Sequence, residues 1–287
     1  MSVLAHKWVS SGALQGQAAF AKARVVVSLH GIMGSGRNWM TAARQLVKRR
    51  PDHKVLLVDL RGHGANTTIA GPHTVASAAR DVAATVSHAT GPDAPTPSDA
   101  TALLADGTAP IVLGHSFGGK VGLAYAASRS EPPVRTWLFD SNPTKATSAG
   151  GVGEVLAVLE DAARNQVYES TKAAVAALEE RGLEAPTAQW LAMTTAKADD
   201  GVRFAYDLDA VRALYDAHCQ TDLLTEARAL DADDRLGLVI AGAAGVVPRD
   251  LGLERTYVLE ASGHNVHVDA LPALLDVVSE THAADWR

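Results

Sequence analysis

Short runs of Val, Ile and Leu, apolar at almost every position, recur along the chain and constrain its fold more than any other feature. Strands that are covered by helices on both faces have such continuous apolar runs, and they are typical of a parallel sheet. Segments with helical periodicity separate the runs, and this alternation predicts a doubly wound α/β domain. The predicted strands are 24–29, 54–60, 110–113, 135–139, 236–241 and 255–259, and the predicted helices between them are 38–50, 74–90, 118–130 and 272–281.

Two stretches interrupt this alternation. Residues 91–106, rich in Pro, Asp, Ser and Thr, predict a surface loop. Residues 151–234 are helical in pattern throughout, without a convincing strand, and we expect helices at 152–168, 170–181, 187–198 and 208–218. Such a block between core strands predicts a cap over the carboxyl edge of the sheet, where open α/β sheets bind ligands. We therefore expect a core of 1–150 and 235–287 with a helical cap at 151–234.

Composition limits the partners of the protein more than its fold. The 287 residues carry a net charge of -6, which gives no reason to expect a nucleic acid or an anionic membrane as partner. No apolar run approaches the roughly 18 residues needed to cross a bilayer, so stable membrane insertion is not expected. Cys219 is the single cysteine; no internal disulfide can form, which suits a reducing compartment. No pattern predicts an oligomeric state.

The N-terminal segment bears on localisation. No acidic residue precedes Asp52, and an acid-poor, basic N-terminus is typical of the remnant of an organelle transit peptide. An edge strand at 4–9 accounts for the same segment. We expect an intracellular protein, either cytoplasmic or in an organelle such as a mitochondrion or plastid.

The segment IVLGHSFGGK, residues 111–120, carries the chemistry. G-x-S-x-G between a strand and a helix is a sharp turn that exposes the serine hydroxyl, and its glycines remove side chains that would clash there. Free N–H groups at the helix start can stabilise developing negative charge. Ser116 is therefore predicted to be a nucleophile.

The same residues match G-x-x-x-x-G-K, most of a phosphate-binding loop. That motif continues with Ser or Thr to hold magnesium, whereas Val121 stands at this position, and no Walker-B strand follows. A dinucleotide fingerprint is also excluded, because the spacing of Gly31, Gly34 and Gly36 does not match G-x-G-x-x-G.

Predicted strand 24–29 runs into HGIMGSG, residues 30–36. The sharp turn at the serine is called a nucleophile elbow. In hydrolases that have it, a His-Gly loop of small residues supplies a second backbone donor. The amides of Ile32 and Phe117 are therefore expected to form an oxyanion hole, in which one donor contributes ~3 kcal/mol of transition-state stabilisation. The candidate substrate-contacting side chains are His30, which is expected mainly to orient the loop, Met33 and His115, with Phe117 and Trp190 as apolar walls of an acyl pocket.

His264, in SGHNVHVD after the last predicted strand, is in the position of a general base, and the order Ser before His agrees. His267 is expected to begin the final helix instead. A metal site made of His264, His267 and Asp269 fits by ligand type. No ligand cluster elsewhere in the sequence supports it, so neither a metal nor another cofactor is predicted.

The acid that would orient His264 has two possible locations. The loop at 242–248 reads GAAGVVP, and no carboxylate follows before Asp250. Asp140 directly follows predicted strand 135–139, beside the nucleophile strand, where it is well placed to orient an imidazole, although such an aspartate can also merely cap a turn. We predict Asp140 as the acid, with Asp250 and Asp234 in reserve.

These motifs resemble one family over nearly the full chain. The matching stretches are HGIMGSGRNW (30–39), VDLRGHG (58–64), GHSFGGK (114–120), DSNP (140–143), GHNVHVD (263–269) and, in the predicted cap, FAYDLDAVRALYDAHCQTDLL (204–224). They are similar to the α/β-hydrolase serine esterases of the YbfF and abhydrolase-domain-containing protein 11 group. The resemblance implies a mostly parallel sheet flanked by helices with a helical cap. It also implies cofactor-free hydrolysis of small-molecule acyl esters, thioesters or lipid esters through an acyl-enzyme. The loop at 242–248 departs from the group, whose members carry a polar residue there.

Other activities of this fold remain open. Relatives that attack with an aspartate, such as haloalkane dehalogenases and epoxide hydrolases, are disfavoured by Ser116, whereas haloperoxidases and carbon–carbon hydrolases also use serine. A non-catalytic protein that binds a small ligand or a partner protein is the alternative from another class. The elbow, the donor loop and the histidine favour an enzyme, because binding alone does not require all three.

Overall fold

The computed structural model describes residues 1–14, 17–90, 109–146, 151–164, 166–281 and 286, so the predicted loop at 91–106 lies outside the described residues. Seven strands form one sheet in the order β1-β3-β2-β4-β5-β8-β9. All neighbours are parallel except β1 and β3, which are antiparallel, and β1 is the edge strand predicted at 4–9. The strands are β1 His6–Ser10, β2 Arg24–Leu29, β3 His53–Val58, β4 Ile111–His115, β5 Arg135–Phe139, β6 Thr195–Ala198, β7 Gly201–Phe204, β8 Leu236–Ala241 and β9 Thr256–Leu259.

Helices cover both faces of the sheet. Val25 and Val27 pack in one apolar cluster with residues of α3 and α4, whereas Val26, between them, packs with α2 and α11. Successive strand residues therefore face opposite helical layers, which explains their continuous apolar character. The helices are α1 Gln17–Lys22, α2 Met40–Arg49, α3 Val75–Thr90, α4 Phe117–Ala127, α5 Val152–Ala163, α6 Thr171–Glu179, α7 Ala185–Ala192, α8 Leu208–Gln220, α9 Leu224–Ala232, α10 Val266–Asp269 and α11 Leu271–Leu275, with a 3₁₀ helix at Gly36–Trp39 and a π-helical turn at Asp276–Thr281.

The expectation that no strand lies within 151–234 is wrong. β6 and β7 form an antiparallel hairpin, and the helix predicted at 187–198 ends at Ala192. The hairpin strands are short and partly exposed, so they lack the apolar run that marks the core strands. The dipeptide Asp200-Gly201 is a hairpin-turn signal that could have indicated them.

Helices α5–α8 and the β6–β7 hairpin, called the insertion below, lie between β5 and β8 in the chain. Helix α9 belongs to the layers around the sheet, because its Ala227 and Leu230 pack with Leu123 of α4 and Leu238 of β8. An end to the insertion before α9 fits this packing better than the predicted end at 234. The division of the chain into domains stays a prediction. Among the described helices, none has both the length and the apolar character needed to cross a bilayer.

Candidate active site

Ser116 lies in the sharp turn between β4 and α4, with φ 51° and ψ -120°. A non-glycine residue with positive φ is strained, and such strain persists only where the surroundings hold it. The Ser116 amide donates to the Phe139 carbonyl at 3.0 Å, and the Ser116 carbonyl accepts from the Ser141 hydroxyl at 2.6 Å. The end of β5 thus holds the turn, and the strand–turn–helix context predicted for Ser116 is present.

Two glycines allow the close packing around this turn. A Cβ atom at Gly114 would lie 2.5 Å from the Cα of Gly119, and one at Gly118 would overlap the carbonyl oxygens of Leu29 and His30. Real Cβ atoms do not approach backbone so closely, so glycine is required at both positions. The first turn of α4 therefore lies directly against the loop that follows β2.

Two neutral histidines hold that loop through hydrogen bonds. His30 donates from Nδ1 to the Gly31 carbonyl at 2.8 Å and accepts from the Leu60 amide at Nε2, at 2.9 Å. His63 accepts at Nε2 from the Met33 amide at 3.0 Å. Burial lowers the pKa of His30 to about 4 and that of His63 to about 3, which leaves each ring the lone pair that accepts. The two bonds of His30 thus connect this loop to the segment that follows β3.

The amides of Ile32 and Phe117 face no protein acceptor among the described residues. Both residues are buried, and both line a cavity together with Ser116. Phe117 is the first residue of α4, so its N–H has no partner within the helix. Two free N–H groups beside a serine can stabilise an oxyanion that forms there.

The side chains of His264 and Asp140 meet at the carboxyl edge of the sheet. His264 Nδ1 lies 2.6 Å from Asp140 Oδ2, and Asp140 Oδ1 accepts from the Ala241 amide at 3.0 Å. The carboxylate is fully buried, whereas the imidazole is 30% exposed. A proton on Nδ1, shared with the carboxylate, leaves Nε2 with the lone pair of a base.

The two reserve acids lie elsewhere. Asp250 is exposed, and Asp234 pairs with Arg135 at 2.8 Å. Arg135 begins β5 whereas Asp140 directly follows its end, so Asp234 is at the opposite edge of the sheet. Of the three aspartates weighed from the sequence, Asp140 is the one that contacts His264.

Two further histidines support the loop of His264. His115 donates from Nε2 to the His264 carbonyl at 2.8 Å, and its ring centre lies 4.7 Å from that of His264 and from that of His267. His267 stacks on Trp39, with 4.7 Å between ring centres. Burial lowers the pKa of His115 well below its ordinary value and that of His267 to about 4, so both of these supporting rings are neutral.

A cavity of about 40 Å³, large enough for a few water molecules, connects these groups. Within the described residues, Ser116 makes no direct hydrogen bond to His264, and such bonds are often long before substrate binds. Of the predicted substrate contacts, His30, Met33, His115 and Trp190 do not line the cavity, because they are held in the surrounding packing. The lining residues are Ile32, Ser116, Phe117, Asp140, Asn142, Ala146, Val152, Tyr215, His218, Cys219, Val246 and His264.

The α8 residues in this lining are not among the ligand contacts predicted from the sequence. Tyr215, His218 and Cys219 recur at the i, i+3 and i+4 spacing that places side chains on one helix face, and this spacing was the available signal. Two wider surface grooves, of about 690 and 460 Å³, run along the hairpin. Neither groove contains Ser116, Asp140 or His264, so the smaller cavity is the candidate active site.

Lys120 of α4, the helix that begins directly after Ser116, forms hydrogen bonds to the end of α8. Its fully buried Nζ donates to the carbonyls of Thr144 and His218, both at 2.8 Å, and of Thr221 at 3.0 Å. The bonds to His218 and Thr221 satisfy carbonyl groups at the end of α8, which would otherwise lack partners. Burial lowers the pKa of Lys120 to about 8. Through these contacts, α4 sets the position of His218 over the cavity.

The described part of the chain contains no group of three or more His, Cys, Asp or Glu side chains placed to hold a metal ion. The ligand set considered from the sequence, His264, His267 and Asp269, therefore does not form such a group. His264 directs its Nδ1 to Asp140 instead.

Residues 26–277 match the model of the alpha/beta hydrolase family, and the chain belongs to that family. The predicted fold is therefore confirmed, and the protein is grouped with hydrolases. Relatives named sn-1-specific diacylglycerol lipase ABHD11 are 31% identical over 139 residues in Mus musculus and 30% identical over 119 residues in Danio rerio. These matches cover 47% and 42% of this chain and only 38% and 32% of the relatives. A solved marine microorganism esterase has a TM-score of 0.72 at 17% identity, covering 97% of this chain and 100% of its own.

Proposed function

We propose that this protein is a serine hydrolase that cleaves small-molecule carboxylic esters through an acyl-enzyme on Ser116. The observation that carries the proposal is the 2.6 Å contact between His264 and the buried carboxylate of Asp140, in one cavity with Ser116. A hydroxyl, an imidazole and a carboxylate in this order form the catalytic triad of serine hydrolases.

In the proposed mechanism, His264 Nε2 takes the proton of Ser116 as its oxygen attacks the acyl carbonyl. The Ile32 and Phe117 amides stabilise the oxyanion, and Asp140 stabilises the imidazolium. His264 then protonates the leaving alcohol, and water hydrolyses the acyl-enzyme with the same base. These reaction steps need no cofactor.

The size of the cavity favours short acyl groups. About 40 Å³ holds only a few heavy atoms, so a long acyl chain requires the insertion to move. The mouse relative carries the name of a diacylglycerol lipase, and lipid esters or thioesters on the same site are therefore alternatives. We propose short carboxylic esters as the first class to assay.

The test is labelling with a fluorophosphonate combined with hydrolysis of p-nitrophenyl acetate and butyrate. We expect an adduct on Ser116 in the wild type and in the Ser10→Ala control, which removes an exposed serine, and none in Ser116→Ala. Absence of the adduct contradicts a nucleophilic serine. An adduct without turnover of esters or thioesters favours the non-catalytic binding protein instead.

A further inference from the structure

One face of α8 places polar side chains in the lining of the cavity. The proposed acyl transfer does not use these side chains. Tyr215, His218 and Cys219 line the cavity together with the residues of the proposed mechanism. Acyl transfer requires Ser116, His264, Asp140 and two amides; nothing in that chemistry calls for polar groups on α8. Apolar side chains would fill the same wall without burying polar atoms.

Two of these polar atoms are buried without a nitrogen or oxygen partner among the described residues. Tyr215 is 6% exposed, and the hydrogen-bonding group nearest in kind to a partner for its hydroxyl is the thiol of Cys219, which bonds only weakly. Nδ1 of His218 is likewise buried and unpaired. Native proteins leave few such groups without a partner, because an unsatisfied one destabilises the fold.

The charge of the site limits what can satisfy them. Burial, with Lys120 nearby, lowers the pKa of His218 to about 3, so its ring is neutral and carries both a donor and an acceptor nitrogen. No Lys or Arg lines the cavity, and Asp140 does, so a carboxylate group on a ligand is disfavoured. A hydroxyl group both donates and accepts, which matches a tyrosine hydroxyl beside a neutral imidazole.

We propose that Tyr215 and His218 bind a hydroxyl group on the acyl part of the substrate, which makes esters of short hydroxy acids the preferred substrate class. This inference rests on the proposed esterase function. The cavity is consistent with an acyl group of this size, and Lys120 holds the end of α8 so that His218 stays on the cavity wall.

The experiment compares p-nitrophenyl esters in which a hydroxyl replaces a methyl group of similar shape. The pairs are 2-hydroxypropanoate with 2-methylpropanoate and 3-hydroxybutanoate with 3-methylbutanoate. After division by the rates of alkaline hydrolysis, we expect kcat/KM to favour the hydroxy ester about tenfold or more in at least one pair. A ratio near one in both pairs, as when ordered water alone satisfies the two side chains, overturns the proposal.

Variants locate the preference. Tyr215→Phe and His218→Leu are expected to reduce the hydroxy-to-methyl ratio several-fold. Tyr168→Phe is the matched control, because its hydroxyl also lies in the insertion but bonds to the Ala162 carbonyl outside the cavity. A ratio that both α8 variants leave unchanged overturns the assignment even if the wild type prefers hydroxy esters. Loss of the proposed esterase function itself is distinguishable, because then neither member of a pair is hydrolysed and Ser116 takes no label.

Discussion

His115 donates a hydrogen bond of 2.8 Å from its Nε2 to the backbone carbonyl of His264, a residue 149 positions further along the chain. The residue directly before the proposed nucleophile thus holds the loop of the proposed base. Asp140 orients the ring of His264, whereas His115 sets the position of its backbone. Two independent contacts therefore place His264 relative to Ser116.

Replacing His115 tests this second contact. We expect His115→Leu to lower kcat about tenfold or more with little change in KM, because a buried hydrogen bond is lost and the base is misplaced. His115→Gln, which keeps a donor, should restore part of the loss. His88→Leu, at an exposed position of α3, is the control. A rise in KM at unchanged kcat would instead indicate a role in substrate binding.

Asp140→Asn is expected to reduce kcat by about 10⁴-fold while the fold is retained, because an amide cannot stabilise the imidazolium and favours the wrong tautomer of His264. Asp250→Asn, at an exposed position, should leave kcat unchanged. Steady-state kinetics on p-nitrophenyl acetate, with circular dichroism to verify folding, provides the measurement. Full activity in Asp140→Asn contradicts the assignment of the acid.

Gly118→Ala is expected to destabilise the protein by ~3 kcal/mol and to lower kcat, because the new Cβ atom displaces the loop that carries the Ile32 amide. Gly12→Ala is the matched control, since no atom lies within 4 Å of the added Cβ there. Urea unfolding measures the free energy of each variant. Equal stability of the two would mean that the contact of α4 with the loop after β2 is not as tight as described.

Stability should fall with mild acid. Burial lowers the pKa of His30 and His267 to about 4 and that of His63 to about 3, from an ordinary value of 6.5. Below pH 6.5 the unfolded chain binds protons that the folded protein does not, so stability rises with pH in this window and is lost as the pH falls. Each histidine contributes on the order of 1 kcal/mol to the loss at pH 5.5.

The measurement is the free energy of unfolding at pH 7.5, 6.5 and 5.5. Ordinary carboxylates titrate near pH 4, so a loss above pH 5.5 belongs to histidines. An unchanged free energy over this range would show that these rings are charged or hydrated in the folded protein.

Much of the fold was predictable because it depends on local patterns. The predicted strands at 135–139 and 236–241 coincide with β5 and β8, since a strand between two helical layers is apolar at most of its positions. The β6–β7 hairpin was missed because its partly exposed strands carry no such pattern. Local patterns thus identify strands at the centre of the molecule better than strands at its surface.

What the sequence by itself determined is the turn at Ser116. A serine with positive φ between a strand and a helix needs glycines on both sides. Gly114 and Gly118, two positions away on either side, meet this requirement. Only the tertiary structure shows which of Asp140, Asp234 and Asp250 contacts His264. Asp140 and His264 lie 124 positions apart, and their contact follows from the order of β5, β8 and β9 in the sheet.

The same holds for Tyr215 and His218. In the sequence they are ordinary residues on the partly polar face of an amphipathic helix. Only the structure shows that they are buried in the cavity of Ser116 with atoms that lack a partner, which is the observation that suggests a ligand. The physical reason is that backbone conformation depends on neighbours in sequence, whereas the partner of a side chain depends on which elements pack together.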